Sequence, residues 1–137
     1  MRSFFILALL LTAVGAIRLS AEEPARKGAK LRLSTKEVFM GKSKAAETLI
    51  DSLIIYNDGD EELSIYSVFT GCSCTGATYP RSTIAPGDSI PLHLRFHDKR
   101  QPPGRFRKLL RIRSNDPSSP ARFFITGVIL PDSDYIF

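Results

Sequence analysis

Between Ile90 and His97 apolar and polar side chains alternate without a fault. Ile90, Leu92, Leu94 and Phe96 fall on one side; Pro91, His93, Arg95 and His97 fall on the other. This period of two is that of a strand buried on one face. Arg105 to Ser114 repeats it, with Phe106, Leu110 and Ile112 inward and Arg105, Arg107, Arg111 and Arg113 outward. Ala121 to Leu130 is the last predicted strand, where Gly127 marks a bulge or a close approach of backbone.

The earlier half is less regular. Glu47 to Asn57 places Leu49, Leu53 and Ile55 on one parity and Ile50, Ile54 and Tyr56 on the other. Asp51 and Ser52 interrupt every helical stripe, so the segment reads as a strand with both faces partly covered, ended by Asn57-Asp58-Gly59-Asp60. Leu63 to Thr70 is the next strand, with Val68 out of step and a bulge predicted before the segment that follows. Leu31 to Ser34 and Glu37 to Gly41 read as one first strand broken by a bend, and Lys42 to Ala46 as a loop. Pro86-Gly87-Asp88 is a turn, because proline presets φ and glycine accepts a positive one. Short connections, extended elements and no convincing helix predict an all-β fold. The expected architecture is an immunoglobulin-like antiparallel β-sandwich of about seven strands. It lacks the tryptophan and the distant cysteine pair of true immunoglobulin domains.

The N-terminus changes the picture. Arg2 precedes 14 mostly apolar residues, Phe4 to Ile17. This is too short for a spanning helix but suited to the core of a secretory signal. Small residues allow cleavage after Ala16 or after Ala21, and Ala21 is preferred because Glu22-Glu23-Pro24 follows it. The expected organisation is a signal peptide over 1–21, a flexible lead-in over 22–30 and one sandwich domain over 31–137. Such a chain is exported to the periplasm or beyond, with no transmembrane segment after signal removal. Losing Arg2 and Arg18 leaves 17 basic against 14 acidic side chains, a net +3 too slight to imply nucleic acid.

The chemistry concentrates in Gly71-Cys72-Ser73-Cys74-Thr75, which holds both cysteines of the chain. Residues two apart in an extended chain lie just under ~7 Å apart at Cα, so a Cys72–Cys74 bridge requires the loop to bend. Closing so small a ring stabilises a fold by only about 1.6 kcal/mol, a weak motive for a staple. Two soft thiolates could instead hold Cu(I), or the pair could exchange with other thiols. As a third reading, the sulfurs act as small hydrophobes in a tight loop. His93 and His97 would lie roughly 13 Å apart along a strand and read as surface histidines. Asp58, Asp60, Glu61 and Glu62 could bind calcium weakly but read as a solvated turn.

No nucleotide, zinc-protease or serine-hydrolase motif occurs, and no enzymatic activity is expected. Lys99, Arg100, Arg105, Arg107, Lys108, Arg111 and Arg113 fall within 15 residues. The arginines at 105, 107, 111 and 113 form an outward ladder suited to a polyanion, an anionic membrane or an acidic partner, or to guarding a sheet edge. No aromatic residues interleave along this strand face, which argues against nucleic acid.

Several dispersed motifs occur in order. They are Asn57-x-Gly59, Leu63-x-Ile65, Gly71-Cys72-Ser73-Cys74-Thr75, Ile84-x-Pro86-Gly87-Asp88, Phe96, Gly104-x-Phe106, Ser114-Asn115-Asp116-Pro117 and Gly127. Over residues 31–130 this pattern resembles the bacterial secreted domain-of-unknown-function family 1573, marked by a Gly-Cys-x-Cys-Thr loop. Ser73 departs from the glycine or hydrophobe of many relatives. The resemblance implies an exported sandwich similar in shape to pilus-chaperone and sperm-protein domains, and carries no activity. The expected function is a binding or structural module of the cell envelope, with a protein or envelope component as partner. The alternative is a Cys-x-Cys copper-binding or thiol-exchange protein.

Overall fold

In the computed structural model of the protein, residues 28–131 are described. The expected signal peptide, most of the lead-in and residues 132–137 lie outside them. The chain forms β1 (Leu31–Leu33), β2 (Glu37–Lys44), β3 (Leu49–Asn57), β4 (Ile65–Phe69), β5 (Thr75–Thr78), β6 (Ser89–Phe96), β7 (Gly104–Ser114) and β8 (Ala121–Leu130). One sheet has the order β1-β3-β6-β5 and the other β2-β8-β7-β4. The alternation in β6 places Leu92, Leu94 and Phe96 inside, against Leu110 and Ile112 of β7 and Phe123 and Ile125 of β8. Each such side chain contributes roughly 1.5–3 kcal/mol on burial. Phe96 and Phe106 stack from opposite sheets with ring centroids 4.3 Å apart, joining the two layers.

The first strand differs from expectation. Leu31 to Gly41 is two strands in different sheets: β1 pairs antiparallel with β3, and β2 pairs parallel with β8. The sandwich is therefore mixed. The crossing is built by Ser34, whose N–H donates to Ile54 O (2.9 Å) and whose hydroxyl accepts the Ile54 N–H (3.0 Å). Lys36 O then accepts the Phe124 N–H (2.9 Å) on the second sheet. The stretch expected as a loop at Lys42–Lys44 continues β2, past a register shift at Gly41, whose φ of 108° favours glycine.

The bulge predicted near Val68 lies one turn of the pleat earlier, between Ile65 and Ser67. Strand β5, immediately after the cysteine loop, has no counterpart among the strands the sequence predicts. Thr75-Gly76-Ala77-Thr78 has no large apolar residue to signal a strand, yet it pairs with β6. Gly127 is a close approach, and pairing of β7 with β8 continues through it. A Cβ there would stand 2.6 Å from the Phe106 ring and 3.0 Å from Gly41 O.

The end of the sandwich opposite the cysteine loop is closed by buried polar groups. Asn57 is fully buried; its Nδ2 donates to Glu61 O (2.7 Å) and Ile84 O (2.9 Å). Its Oδ1 accepts from Gly59 N (3.0 Å) and Lys30 N (3.3 Å), using the capacity of the whole amide. The Asp116 carboxylate accepts the Leu31 N–H (2.7 Å) and both the N–H and hydroxyl of Ser118 (2.7 Å each). Burial pushes its pKa up, but these donors and the Lys30 charge outweigh that and hold the group below the ordinary aspartate range. Gly28 to Lys30, expected within a flexible lead-in, are tied to this end. Gly28 O and Lys30 O accept from Asp60 N (3.1 Å) and Asp58 N (2.8 Å), and Ala29 is buried. The Asn57–Asp60 turn crosses between the sheets rather than closing a hairpin, since β3 and β4 lie in opposite layers.

Candidate functional site

The outer face of the second sheet collects residues from four strands. The register sets Arg105 opposite Val128, Arg107 opposite Thr126 and Arg111 opposite Arg122, with Arg113 opposite Ser67 and Arg111 also opposite Phe69. On the far side Glu37, Phe39, Lys42 and Lys44 of β2 meet Phe124, Thr126, Val128 and Leu130. Among the described residues, Lys42, Lys44, Arg105, Arg107, Arg111, Arg113 and Arg122 thus share one face with a single carboxylate, Glu37. Phe39 (56% exposed), Phe69 (57%) and Leu130 (41%) stand among them.

The four predicted arginines are all exposed but do not act alike. Arg107 is engaged: its Nη2 lies 3.3 Å from Glu37 Oε2, and its guanidinium lies over the Phe124 ring at 3.5 Å. Among the described residues no carboxylate lies within ion-pair distance of Arg105, Arg111 or Arg113. Arg111 and Arg122 face each other directly, an arrangement of like charges that costs stability. A cleft of about 390 Å³ opens beside Glu37, Phe39, Arg105, Arg107, Thr126 and Val128. Aromatic residues absent from the β7 face are supplied by Phe39, Phe69 and Phe124 of the other strands. A single-strand reading cannot see this, because cross-strand neighbours are set by register.

Cys72 and Cys74 form a disulfide, with Cα atoms 5.2 Å apart. The loop bends as a bridge demands: Gly71 has φ 80°, the Thr75 N–H donates to Cys72 O (3.4 Å), and the Thr70 hydroxyl donates to the same oxygen (3.1 Å). The His97 N–H donates to Cys74 O (2.8 Å), and the His97 ring Nδ1 lies 3.1 Å from the Thr48 hydroxyl. His97, read from sequence as a surface histidine, borders the cysteine loop instead. Lys99, Arg100 and Lys108 also line this end, so the single basic run of the sequence supplies two separate surfaces. A bridged pair offers no thiolate, so Cu(I) would require reduction first. Among the described residues no three His, Cys, Asp or Glu side chains converge on one point.

The remaining sequence candidates are structural. Asp58 pairs with Arg32 at 2.5 Å, and the Asp60 carboxylate accepts the Gly28 N–H at 2.5 Å. No helix among the described residues is long and apolar enough to cross a membrane.

Comparison with known proteins agrees with this architecture. A Porphyromonas gingivalis W83 protein of unknown function superposes with a TM-score of 0.63 at 21% identity, covering 81% of this chain and 51% of that one. The chain thus spans about half the length of that protein. The PapD-like domain 7 of human CEP192 matches with a TM-score of 0.57 at 11% identity, covering 86% of this chain and 96% of that one. The Pseudomonas aeruginosa CupB2 chaperone matches with a TM-score of 0.53 at 14% identity, covering 72% and 55%. At these identities the likeness is one of fold. No curated protein matches the chain. The family model described as protein of unknown function (DUF1573) matches residues 31–129, nearly the whole sandwich, and the chain belongs to that family.

Proposed function

We propose that the chain is an exported, non-enzymatic binding module that docks on an anionic surface of the cell envelope through the outer face of its second sheet. The observation that carries this is the gathering, among the described residues, of seven cations and one carboxylate on a single four-stranded face, with Phe39, Phe69 and Leu130 exposed among them. Each cation near an anionic lipid surface contributes about 1 kcal/mol, and the exposed apolar side chains suit the boundary between headgroups and acyl chains. Arg111 and Arg122, opposed at a cost when free, are relieved by an anion placed between them. An exported chain meets such a surface as soon as it leaves the cytoplasm.

The test is co-sedimentation of the purified protein with phosphatidylglycerol and with phosphatidylcholine vesicles. Binding to the anionic vesicles alone, weakening as salt rises from 50 to 500 mM, supports the reading. Equal binding to both vesicle types contradicts it. So does tight binding to a single-stranded oligonucleotide without vesicle binding.

A further inference from the structure

We infer that the Cys72–Cys74 disulfide is an exchange site for carboxylate-bearing thiols, independent of the docking face. The cysteines are half-buried beside a cleft of about 350 Å³, with Lys99, Arg100 and Lys108 around it and Asp98 its single carboxylate among the described residues. That carboxylate accepts the backbone N–H of Arg100 at 2.9 Å, and three cations against it leave the cleft net positive. Lys108 is placed there against the pattern of its strand. It sits at an inward position opposite Ile125, and its ammonium reaches to 5.6 Å from the Phe96 ring at the open end of the sandwich.

Thr75 supplies a second, independent sign. Its side chain is buried, and its hydroxyl lies 3.7 Å from Cys72 Sγ and 3.6 Å from Cys74 Sγ. A donor so nearly equidistant can stabilise whichever sulfur leaves as a thiolate. The bridge joins residues two apart and connects no separate parts of the fold, so opening it leaves the sandwich tied by its own core.

The chemistry balances with an external thiol as reductant. Its thiolate attacks one sulfur of the pair; the Cys72–Cys74 bond breaks as the new S–S bond forms, and the displaced sulfur leaves as a thiolate. A second thiolate attacks the external sulfur of this mixed disulfide, releasing an external disulfide. Two thiols are oxidised, the pair gains two electrons, and two protons end on Cys72 and Cys74. The surrounding cations raise the local concentration of an anionic thiol and favour the thiolate that departs.

The test measures reduction of the intact protein by glutathione, which is anionic, and by cysteamine, which is cationic. Alkylation and intact mass report the pair at each time. The inference predicts that the glutathione rate falls about fivefold between 10 mM and 500 mM salt while the cysteamine rate does not fall. Lys108→Glu should lower the glutathione rate about fivefold and spare cysteamine, and Thr75→Val should slow both. The salt comparison uses the unaltered protein, so it stands even where a variant fails to fold. Glutathione and cysteamine rates that respond alike to salt, or a pair that neither thiol reduces, overturn the inference.

Discussion

The outer face of the first sheet carries Ile50, Ser52, Ile54 and Tyr56 of β3 beside His93 and Arg95 of β6. Its other cation, Arg32, is paired with Asp58 and lies over Tyr56 at 4.0 Å. The outer face of the second sheet has the same pleat and the same kind of apolar inner side, yet it gathers arginines and lysines with exposed phenylalanines. The inner faces are alike because both must fill one core. The outer faces are free of that constraint, so their divergence is where function is to be sought.

Both faces depend on one shared frame, and removing it has the largest expected effect. Asn57→Ala strands the Gly59 and Lys30 N–H groups and the Glu61 carbonyl at the closed end, and leaves Ile84 O with the Leu63 N–H as its one donor. Urea denaturation should show a loss of about 3–5 kcal/mol, with both faces lost together. Gly127→Ala acts on the second sheet, because its new Cβ meets the Phe106 ring and Gly41 O. A loss of about 1–3 kcal/mol is expected, accompanied by weaker vesicle binding at temperatures where the fold persists.

Asp116 gives a pH test. Its carboxyl is held below the unfolded value of about 3.9, so its contribution is complete above that pH and is lost as pH falls through the lower folded value. Asp116→Asn should cost about 1–2 kcal/mol at pH 7 and progressively less in acid, read from thermal unfolding across pH 2–7. The smallest effect belongs to the cysteine loop. Cys72→Ser with Cys74→Ser should cost less than about 2 kcal/mol and leave vesicle binding unchanged, since the bridge closes so short a ring.

The fold was legible where one strand's own alternation sets its burial. β6 and β7 kept the sides assigned to Ile90–Phe96 and to Arg105–Arg113, and Gly87 took the positive φ its turn requires. What escaped depends on partners distant in sequence. The switch of sheet after Leu33 rests on Ser34 bonding to Ile54, and β5 is a strand because β6 lies beside it. The cysteines and the arginine ladder were visible in sequence. The aromatics between the arginines, and His97 and Lys108 beside the cysteine loop, come together only through register and loop path. Several family motifs proved to be structural: Asn57 and Asp116 hold the closed end, and Gly127 admits the Phe106 ring.

Charge reversal on the two faces, compared in one vesicle-binding experiment, separates the second sheet from the first. Arg111→Glu with Arg113→Glu alters the second sheet, and Arg95→Glu alters the first. Removing two cations and adding two acids should weaken binding to phosphatidylglycerol vesicles at least about 100-fold, while Arg95→Glu changes it less than about threefold. Equal losses from the two faces, or no loss from the arginine pair in a folded protein, would rule out docking through the second sheet.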